Sequence, residues 1–126
     1  MNPKILIIGA CGQIGTELTH KLRQLYGTEN VVASDIRKLN NDIVNSGTFE
    51  VVNALDFNQI EHLVEVHQIT DIYLMAALLS ATAEKNPAFA WDLNMTSLFH
   101  VLNLAKAKKI TKIFWPPSIA VFRPTP

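Results

Sequence analysis

The sequence predicts an α/β fold with a doubly wound parallel sheet of about five strands, covered by helices on both faces. Segments with strand character alternate with helical patterns along the whole chain. Two of those segments, residues 5–8 and 71–77, are apolar nearly throughout, as in strands that are buried on both faces. Parallel strands joined by right-handed helical crossovers then predict the strand order 3-2-1-4-5.

The first half of the chain adds a helix, a second strand and a loop. The helix after the first strand starts at Gln13 and ends at Tyr26-Gly27. Its apolar positions form one stripe, typical of a buried helix face, and consist of Ile14, Leu18, Leu22 and Leu25. Residues 30–35 predict the second strand, which ends at an aspartate, and the polar segment 38–47 predicts a loop.

The second half predicts three more strands and two helices. The strands comprise residues 49–54, 71–77 and 112–115. Asp56 and Asn58 can cap the first of these helices, which carries Ile60, Leu63, Val64 and His67. The second helix starts at Asn86-Pro87 and reaches about Lys108. The proline-rich end of the chain, PPSIAVFRPTP, excludes a long regular element there.

Composition and charge narrow the classes of function. A chain of 126 residues forms at most one domain, and its formal net charge of zero argues against nucleic acid or an anionic membrane as a partner. The longest apolar run, residues 72–79, is far below the ~20 residues that span a bilayer. The single cysteine, Cys11, fits a reducing, cytoplasmic setting. The histidines lack metal-ligand spacing, so we predict no metal site.

The segment GACGQIG lies between the first strand and the first helix. Gly9 can make the turn, Gly12 can let a pyrophosphate approach the backbone, and Gly15 can let the helix pack on the strand. The helix N-terminus adds free N–H groups and a partial positive charge. The spacing is G-x-x-G-x-x-G rather than G-x-G-x-x-G, but its position between strand and helix predicts a dinucleotide site.

Asp35 ends the second predicted strand, about 20 residues after the glycine segment. A carboxylate there accepts hydrogen bonds from the ribose hydroxyls of adenosine and repels a 2′-phosphate, which favours NAD over NADP. Arg37 is a counter-signal, because an arginine can pair with that phosphate. Two further interpretations stay open: Asp56 can read the adenine amino group or only cap a helix, and Ala76-Ala77 can line the cofactor path or only pack tightly.

Several segments together resemble the extended short-chain dehydrogenase/reductases: GACGQIG, Asp35, residues 74–77, Asn94 and SIAVF at 118–122. A narrower similarity, to the bacterial short-chain-type L-threonine 3-dehydrogenases, is carried by KILIIGACGQIG, YLMAALLSATAEKNP and WPPSIAVF. These enzymes are relatives of UDP-galactose 4-epimerase. The resemblance covers essentially the whole chain. It implies that residues 1–126 are the NAD-binding Rossmann domain of a longer enzyme, without its substrate-binding C-terminal part.

The resemblance implies NAD-dependent oxidation of L-threonine at C3, with hydride transfer to NAD and 2-amino-3-oxobutyrate as the product. It implies catalytic roles for Ser118 and Asn94, and substrate contacts for Leu79, Ser80 and Ser118. Cofactor contacts are implied for Gly9, Gly12, Gln13, Ile14, Gly15, Asp35, Ile36, Arg37, Asp56, Phe57, Met75, Ala76 and Ala77. From the residues alone, the Asn94 amide could equally be satisfied by backbone groups.

The catalytic Tyr-x-x-x-Lys pair of that family is absent from this sequence, because neither Tyr26 nor Tyr73 has a lysine four residues later. The resemblance places the pair beyond residue 126, so we expect this chain alone to lack dehydrogenase activity. Pro117 and Arg123 also depart from the family pattern around the predicted serine. Two alternatives stay open: a non-catalytic NAD-binding module, and an NAD-dependent nucleotide-sugar epimerase or dehydratase.

The long predicted helix carries apolar residues on two faces. One face, which we expect to pack on the sheet, consists of Leu93, Ser97, Val101 and Leu104. The other consists of Trp91, Met95, Leu98 and Leu102, with Phe99 at its edge. The resemblance implies a homodimer through the second face of the helix 87–108. The alternative is that a C-terminal part of the same subunit covers this face.

Overall fold

Five parallel strands form one sheet in the order β3-β2-β1-β4-β5, which confirms the predicted fold class and strand order. The computed structural model of the protein describes residues 3–38, 42–75 and 87–115. The strands are β1 Ile5–Ile8, β2 Val31–Asp35, β3 Phe49–Val51, β4 Asp71–Leu74 and β5 Lys112–Phe114. The chain starts in the middle of the sheet, moves outward to β3, and then crosses to β4 and β5. The strand order therefore reverses between β1 and β4, where α/β sheets bind ligands at the carboxyl ends of the strands.

Four strands are shorter than the sequence predicted. Strand β4 ends at Leu74 rather than residue 77, and β5 ends at Phe114 rather than residue 115. Strand β3 ends at Val51 rather than residue 54, because the Leu55 N–H donates to Asn53 Oδ1 at 2.9 Å and closes a turn. Strand β2 begins at Val31, because the three residues before it form a short 3-10 turn, Thr28–Asn30.

The described residues form four α-helices, which lie on the two faces of the sheet: α1 Gln13–Tyr26, α2 Asp42–Asn45, α3 Phe57–His67 and α4 Pro87–Lys106. The prediction of a loop over residues 38–47 was wrong for α2. Its Ile43 and Val44 are 0% and 8% exposed, and a single helical turn is what directs both of these apolar side chains into the core. No helix in the described parts of the chain is long and apolar enough to cross a membrane.

The sheet separates two hydrophobic cores, because successive strand residues point to opposite faces. Ile5 and Ile7 of β1 pack with residues of α1 and α2 on one face. Leu6 and Ile8 pack with residues of α3 and α4 on the other. All four residues of β1 are at most 1% exposed, as expected for the central strand of a sheet with two covered faces.

The buried face of α1 differs from the predicted apolar stripe. Ile14 and Leu25 are 45% and 61% exposed, so this part of the prediction was wrong, whereas Leu22 is buried. The residues that α1 buries are Gly15, Thr19, Leu22 and Arg23. Close contact between the start of the helix and the end of β1 determines this orientation, and Thr19 satisfies its hydroxyl by donating to the Gly15 carbonyl at 2.7 Å.

Helix α4 confirms the predicted sheet-facing side where its side chains are described. Ser97, Val101 and Leu104 are at most 1% exposed. The assignment of Met95 and Leu98 to the second face was wrong, because Leu98 is buried in the same core as Val101 and Leu104 and Met95 packs against that core. Phe99 and Leu102 are 56% and 42% exposed, as expected for a second face. The side chains of Trp91 and Leu93, which were also assigned to these faces, lie outside the described residues.

Candidate functional site

The glycine segment forms the turn from β1 into α1 at the carboxyl end of the sheet. Gly9 has a φ of 94°, in the region that favours glycine, so its predicted role in the turn is confirmed. The N–H groups of Gly9 and Ala10 both donate to the Ser34 carbonyl, at 2.9 and 2.8 Å. The Thr16 hydroxyl donates to the Ala10 carbonyl at 3.1 Å and holds the turn from the helix side.

The two later glycines of the segment meet opposite surroundings. A Cβ on Gly15 would lie 2.3 Å from the Gly9 carbonyl oxygen, so the helix contacts the strand at this point, as the sequence predicted. A Cβ on Gly12 would meet nothing within 4 Å, and the φ of −72° at Gly12 is open to any residue. The absent side chain of Gly12 therefore leaves open space at the start of the helix, which fits the close approach of a phosphate group.

The N-terminus of α1 is suited to an anion. Gly12 is the N-cap and provides no side-chain hydrogen bond to the helix, and the first turn contains no acidic residue. The first amides of a helix have no partner within the helix and carry a partial positive charge. Gln13 and Ile14, which begin the first turn, are exposed, so the surroundings of these amides fit a pyrophosphate group.

Asp35 lies beside the glycine segment, at the end of β2. Its Oδ2 accepts a hydrogen bond from the Cys11 N–H at 2.9 Å, and its Oδ1 accepts one from the Ile36 N–H at 2.7 Å. The residues that follow, Ile36 and Arg37, are exposed, and Ile36 exposes 58% of its surface. The Asp35 carboxylate therefore lies directly beside the glycine turn, and an exposed apolar side chain and a guanidinium follow it in the sequence.

Asp56 caps α3, which confirms the structural interpretation of this residue. Its Oδ1 accepts hydrogen bonds from the N–H groups of Asn58 at 3.0 Å and Gln59 at 3.3 Å. The next residue, Phe57, contacts the His100 ring edge to face, with centroids 5.6 Å apart. A contact of Asp56 or Phe57 with an adenine ring stays a prediction.

Of the remaining predicted site residues, the structure describes Met75 alone. Met75 is 5% exposed, and its N–H donates to the Ile8 carbonyl at 2.7 Å, which places it beside the end of β1. The positions that lie outside the described residues are Ala76, Ala77, Leu79, Ser80, Pro117, Ser118, Arg123 and the side chain of Asn94. Among the described residues, no group of three or more His, Cys, Asp or Glu could hold a metal ion.

Two residues that support the site were not predicted. Ser34 is fully buried, donates to the Ile7 carbonyl at 2.7 Å, and offers its own carbonyl to the glycine turn. Thr16 holds the same turn through its hydroxyl. The only signal for Ser34 in the sequence is a small polar residue next to Asp35 in an otherwise apolar strand.

Comparison with known proteins agrees with this geometry. The sequence profile of the NAD dependent epimerase/dehydratase family matches residues 5–125. An uncharacterized epimerase/dehydratase of Staphylococcus saprophyticus is 49% identical over 123 residues, which are 97% of this chain and 38% of that protein. This chain therefore spans well under half the length of that relative.

Solved structures give the same assignment. A GalE-like L-threonine dehydrogenase from Cupriavidus necator, in its holo form, is 49% identical with a TM-score of 0.81, over 90% of this chain and 36% of that one. An L-threonine dehydrogenase from Clostridium difficile is 43% identical with a TM-score of 0.81, over 88% of this chain and 35% of that one. These matches confirm the resemblance to the epimerases and threonine dehydrogenases, and NAD as the cofactor of the group. The chain belongs to the NAD dependent epimerase/dehydratase family.

Proposed function

We propose that this chain is the cofactor-binding part of an NAD-dependent dehydrogenase that oxidises L-threonine at C3 to 2-amino-3-oxobutyrate. One observation carries the proposal: the glycine turn leaves open space at the N-terminus of α1 directly beside the Asp35 carboxylate. The substrate assignment is supported by the identity to two L-threonine dehydrogenases of known structure.

In this proposal, different described residues bind different parts of the cofactor. The first amides of α1, at Gln13 and Ile14, hold the pyrophosphate over the open space at Gly12. Asp35 accepts hydrogen bonds from the ribose hydroxyls through the lone pairs that its two backbone bonds leave available. Ile36 offers an apolar surface to one side of the adenine. When bound, NAD supplies the hydride acceptor of the oxidation.

The chemistry needs a base that takes the proton of the substrate hydroxyl. We assign that role to the Tyr-x-x-x-Lys pair that the resemblance implies beyond residue 126, with Ser118 and Asn94 positioning the same hydroxyl. Leu79 and Ser80 contact the substrate in this proposal. The 126-residue chain alone is therefore expected to bind NAD and to form no NADH from threonine.

A chimera tests the substrate assignment. It joins this chain to the part of the Cupriavidus necator enzyme that follows the matched region. We expect L-threonine and NAD to give NADH, measured by absorbance, and we expect the matched variant Gly12→Val to lose NAD binding in titration calorimetry. A chimera that binds NAD but does not oxidise threonine would contradict the assignment.

A second candidate is a nucleotide-sugar epimerase or dehydratase, favoured by the name of the Staphylococcus saprophyticus relative. Epimerisation of UDP-glucose by the chimera, together with NAD that co-purifies, would favour this candidate. A third candidate is a non-catalytic NAD-binding module. Binding of NAD by a full-length protein without turnover of either substrate, unchanged by Ser118→Ala, would favour the third candidate.

We also propose a cytoplasmic homodimer that forms through the second face of α4. Phe99 and Leu102 support it, because both apolar side chains are about half exposed on a helix whose other face is buried. Phe99→Lys combined with Leu102→Lys should convert a dimer into a monomer in light scattering. A wild-type monomer of the full-length protein would instead favour cover by its own C-terminal part.

A further inference from the structure

We infer that Asp35 is a positioning residue that holds the glycine turn in its binding conformation before any cofactor is present. The inference deepens the proposed function and rests on it only for the identity of the ligand. It starts from one hydrogen bond: the Cys11 N–H donates to Asp35 Oδ2 at 2.9 Å, across 24 residues of sequence. This bond connects the middle of the glycine turn to a side chain of the neighbouring strand.

Three successive amides of the turn are bonded to the end of β2. Gly9 and Ala10 donate to the Ser34 carbonyl, and Cys11 donates to the Asp35 carboxylate. These amides point toward β2, so a phosphate group has to use the amides that follow, at the start of α1. The first two bonds use a backbone acceptor, which a substitution of the side chain leaves in place. The third uses the carboxylate and is lost when the carboxylate is removed.

The carboxylate itself is fixed from the other side. Its Oδ1 accepts the Ile36 N–H at 2.7 Å, so each of its two oxygens accepts a backbone N–H. An asparagine has a single acceptor oxygen, and its amide nitrogen would have to face one of the two N–H donors. A full carboxylate is therefore the group that satisfies both donors at once, and its charge strengthens both hydrogen bonds.

The consequence is a coupling between the conformation of the turn and the recognition of the ribose. In the proposed function, the same carboxylate that bonds to the Cys11 N–H accepts the ribose hydroxyls. A substitution that removes the carboxylate to admit a 2′-phosphate therefore also releases the turn, and weakens pyrophosphate binding for both dinucleotides. Cofactor preference at this site is thus not independent of the conformation of the turn.

Amide hydrogen exchange of the ligand-free 126-residue protein, followed by NMR, tests the inference. The variants are Asp35→Asn and Asp35→Ala. The control is Glu17→Gln, which removes one negative charge from the exposed side of α1. We expect exchange at Cys11 to accelerate by roughly tenfold or more in both Asp35 variants, and to stay near wild type in the control. The exchange rate of Val101, a fully buried residue of α4, is measured beside it and reports any general loss of stability.

The inference would be overturned if both Asp35 variants kept the wild-type ratio of the Cys11 exchange rate to the Val101 exchange rate. The carboxylate would then contribute to ligand binding without holding the turn. The comparison is made under conditions in which each variant is folded, because exchange through global unfolding would hide a local change at Cys11. The wild-type affinity for NAD, measured separately by calorimetry, tests the proposed function. Absence of NAD binding combined with an Asp35-dependent Cys11 amide would remove the proposed function and leave the positioning role.

Discussion

The sheet face that α1 covers differs between its two halves. One row of side chains crosses this face from β3 to β5 and consists of Phe49, Ala33, Ile7, Tyr73 and Phe114. Ala33 and Ile7 are completely buried beneath the α1 side, Tyr73 is half-buried, and Phe114 is 46% exposed. A cavity of about 390 Å³ lies along β4 and β5, and both aromatic residues line it. Within the described residues, helices thus cover β1 and β2 on this face but leave β5 half open.

The difference shows where this chain obtains its contacts. Around β1 and β2, the covering helix α1 and the glycine turn lie close to these strands in sequence. The 126-residue chain therefore supplies the contacts of this half, the completed half, by itself. Around β4 and β5, Tyr73 and Phe114 contact each other, with ring centroids 5.1 Å apart. Tyr73 also packs against the core on this face, whereas Phe114 is nearly half exposed. The glycine turn and Asp35, which hold the pyrophosphate and the ribose in the proposed function, lie in the completed half, which is why cofactor binding is expected without the rest of an enzyme.

The largest expected effect on stability comes from shortening one side chain in each half of that row. Ile7→Ala should lower the free energy of unfolding by roughly 2–5 kcal/mol, because it leaves a cavity in a filled core. Phe114→Ala should lower it by less than about 1 kcal/mol, because the ring is nearly half exposed. Urea denaturation of both variants measures the difference. Equal losses would show that the β5 side of this face is as well covered as the β1 side.

The second effect separates the two later glycines of the turn. Gly15→Ala should destabilise the protein by about 1–3 kcal/mol, because the new Cβ meets the Gly9 carbonyl, part of the backbone, at 2.3 Å. Gly12→Ala places its methyl group in open space and should change stability by less than about 1 kcal/mol. It should nevertheless weaken NAD binding in calorimetry. Undiminished affinity of Gly12→Ala would place the pyrophosphate elsewhere.

The third effect concerns the cap of α3, which packs on the opposite face of the sheet. Asp56→Ala should cost about 1 kcal/mol of stability, because two N–H groups at the start of α3 lose their acceptor. Asp56→Ser preserves a cap and should stay close to wild type in thermal denaturation. If the serine variant retains stability but binds NAD less tightly, Asp56 also reads the adenine. Unchanged affinity would leave it with the cap alone.

Local signals predicted the parts of the fold that local contacts determine. The strand β1, the glycine turn and the start of α1 follow from an apolar run and from glycine positions within one short segment. The role of Asp35 was predicted from its place at a strand end, but its bond to Cys11 was not, because that contact depends on how β1 and β2 pair. The same holds for Ser34, whose acceptor and donors all lie on β1 and the turn that follows it.

Two errors arose where tertiary packing overrides periodicity. The apolar stripe of α1 suggested that Ile14 and Leu25 are buried, but contact of Gly15 with Gly9 turns a different face toward the sheet. The helix α2 is a single turn, which is too short to show a helical period of apolar residues. The sequence therefore predicted a loop for its buried Ile43 and Val44. Both errors concern side-chain orientation and left the strand order unaffected.

The smallest expected effect uses Tyr73 as a probe of the half-open face. Burial, and then the nearby Tyr26 and Asp71, raise the pKa of Tyr73 above its ordinary value of 10.0. The folded state therefore favours the neutral phenol, and this stabilisation is present below the ordinary pKa and is lost as pH rises through the folded pKa. As pH rises above 10.0, the thermal midpoint of wild type should therefore fall more than that of Tyr73→Phe. At neutral pH the midpoints of the two proteins should change in parallel. Midpoints that stay parallel at every pH would show that Tyr73 is as solvated in the folded protein as in the unfolded chain. A C-terminal part that covers Tyr73 and Phe114 should instead widen the difference, because it adds to the burial that raises the pKa of Tyr73.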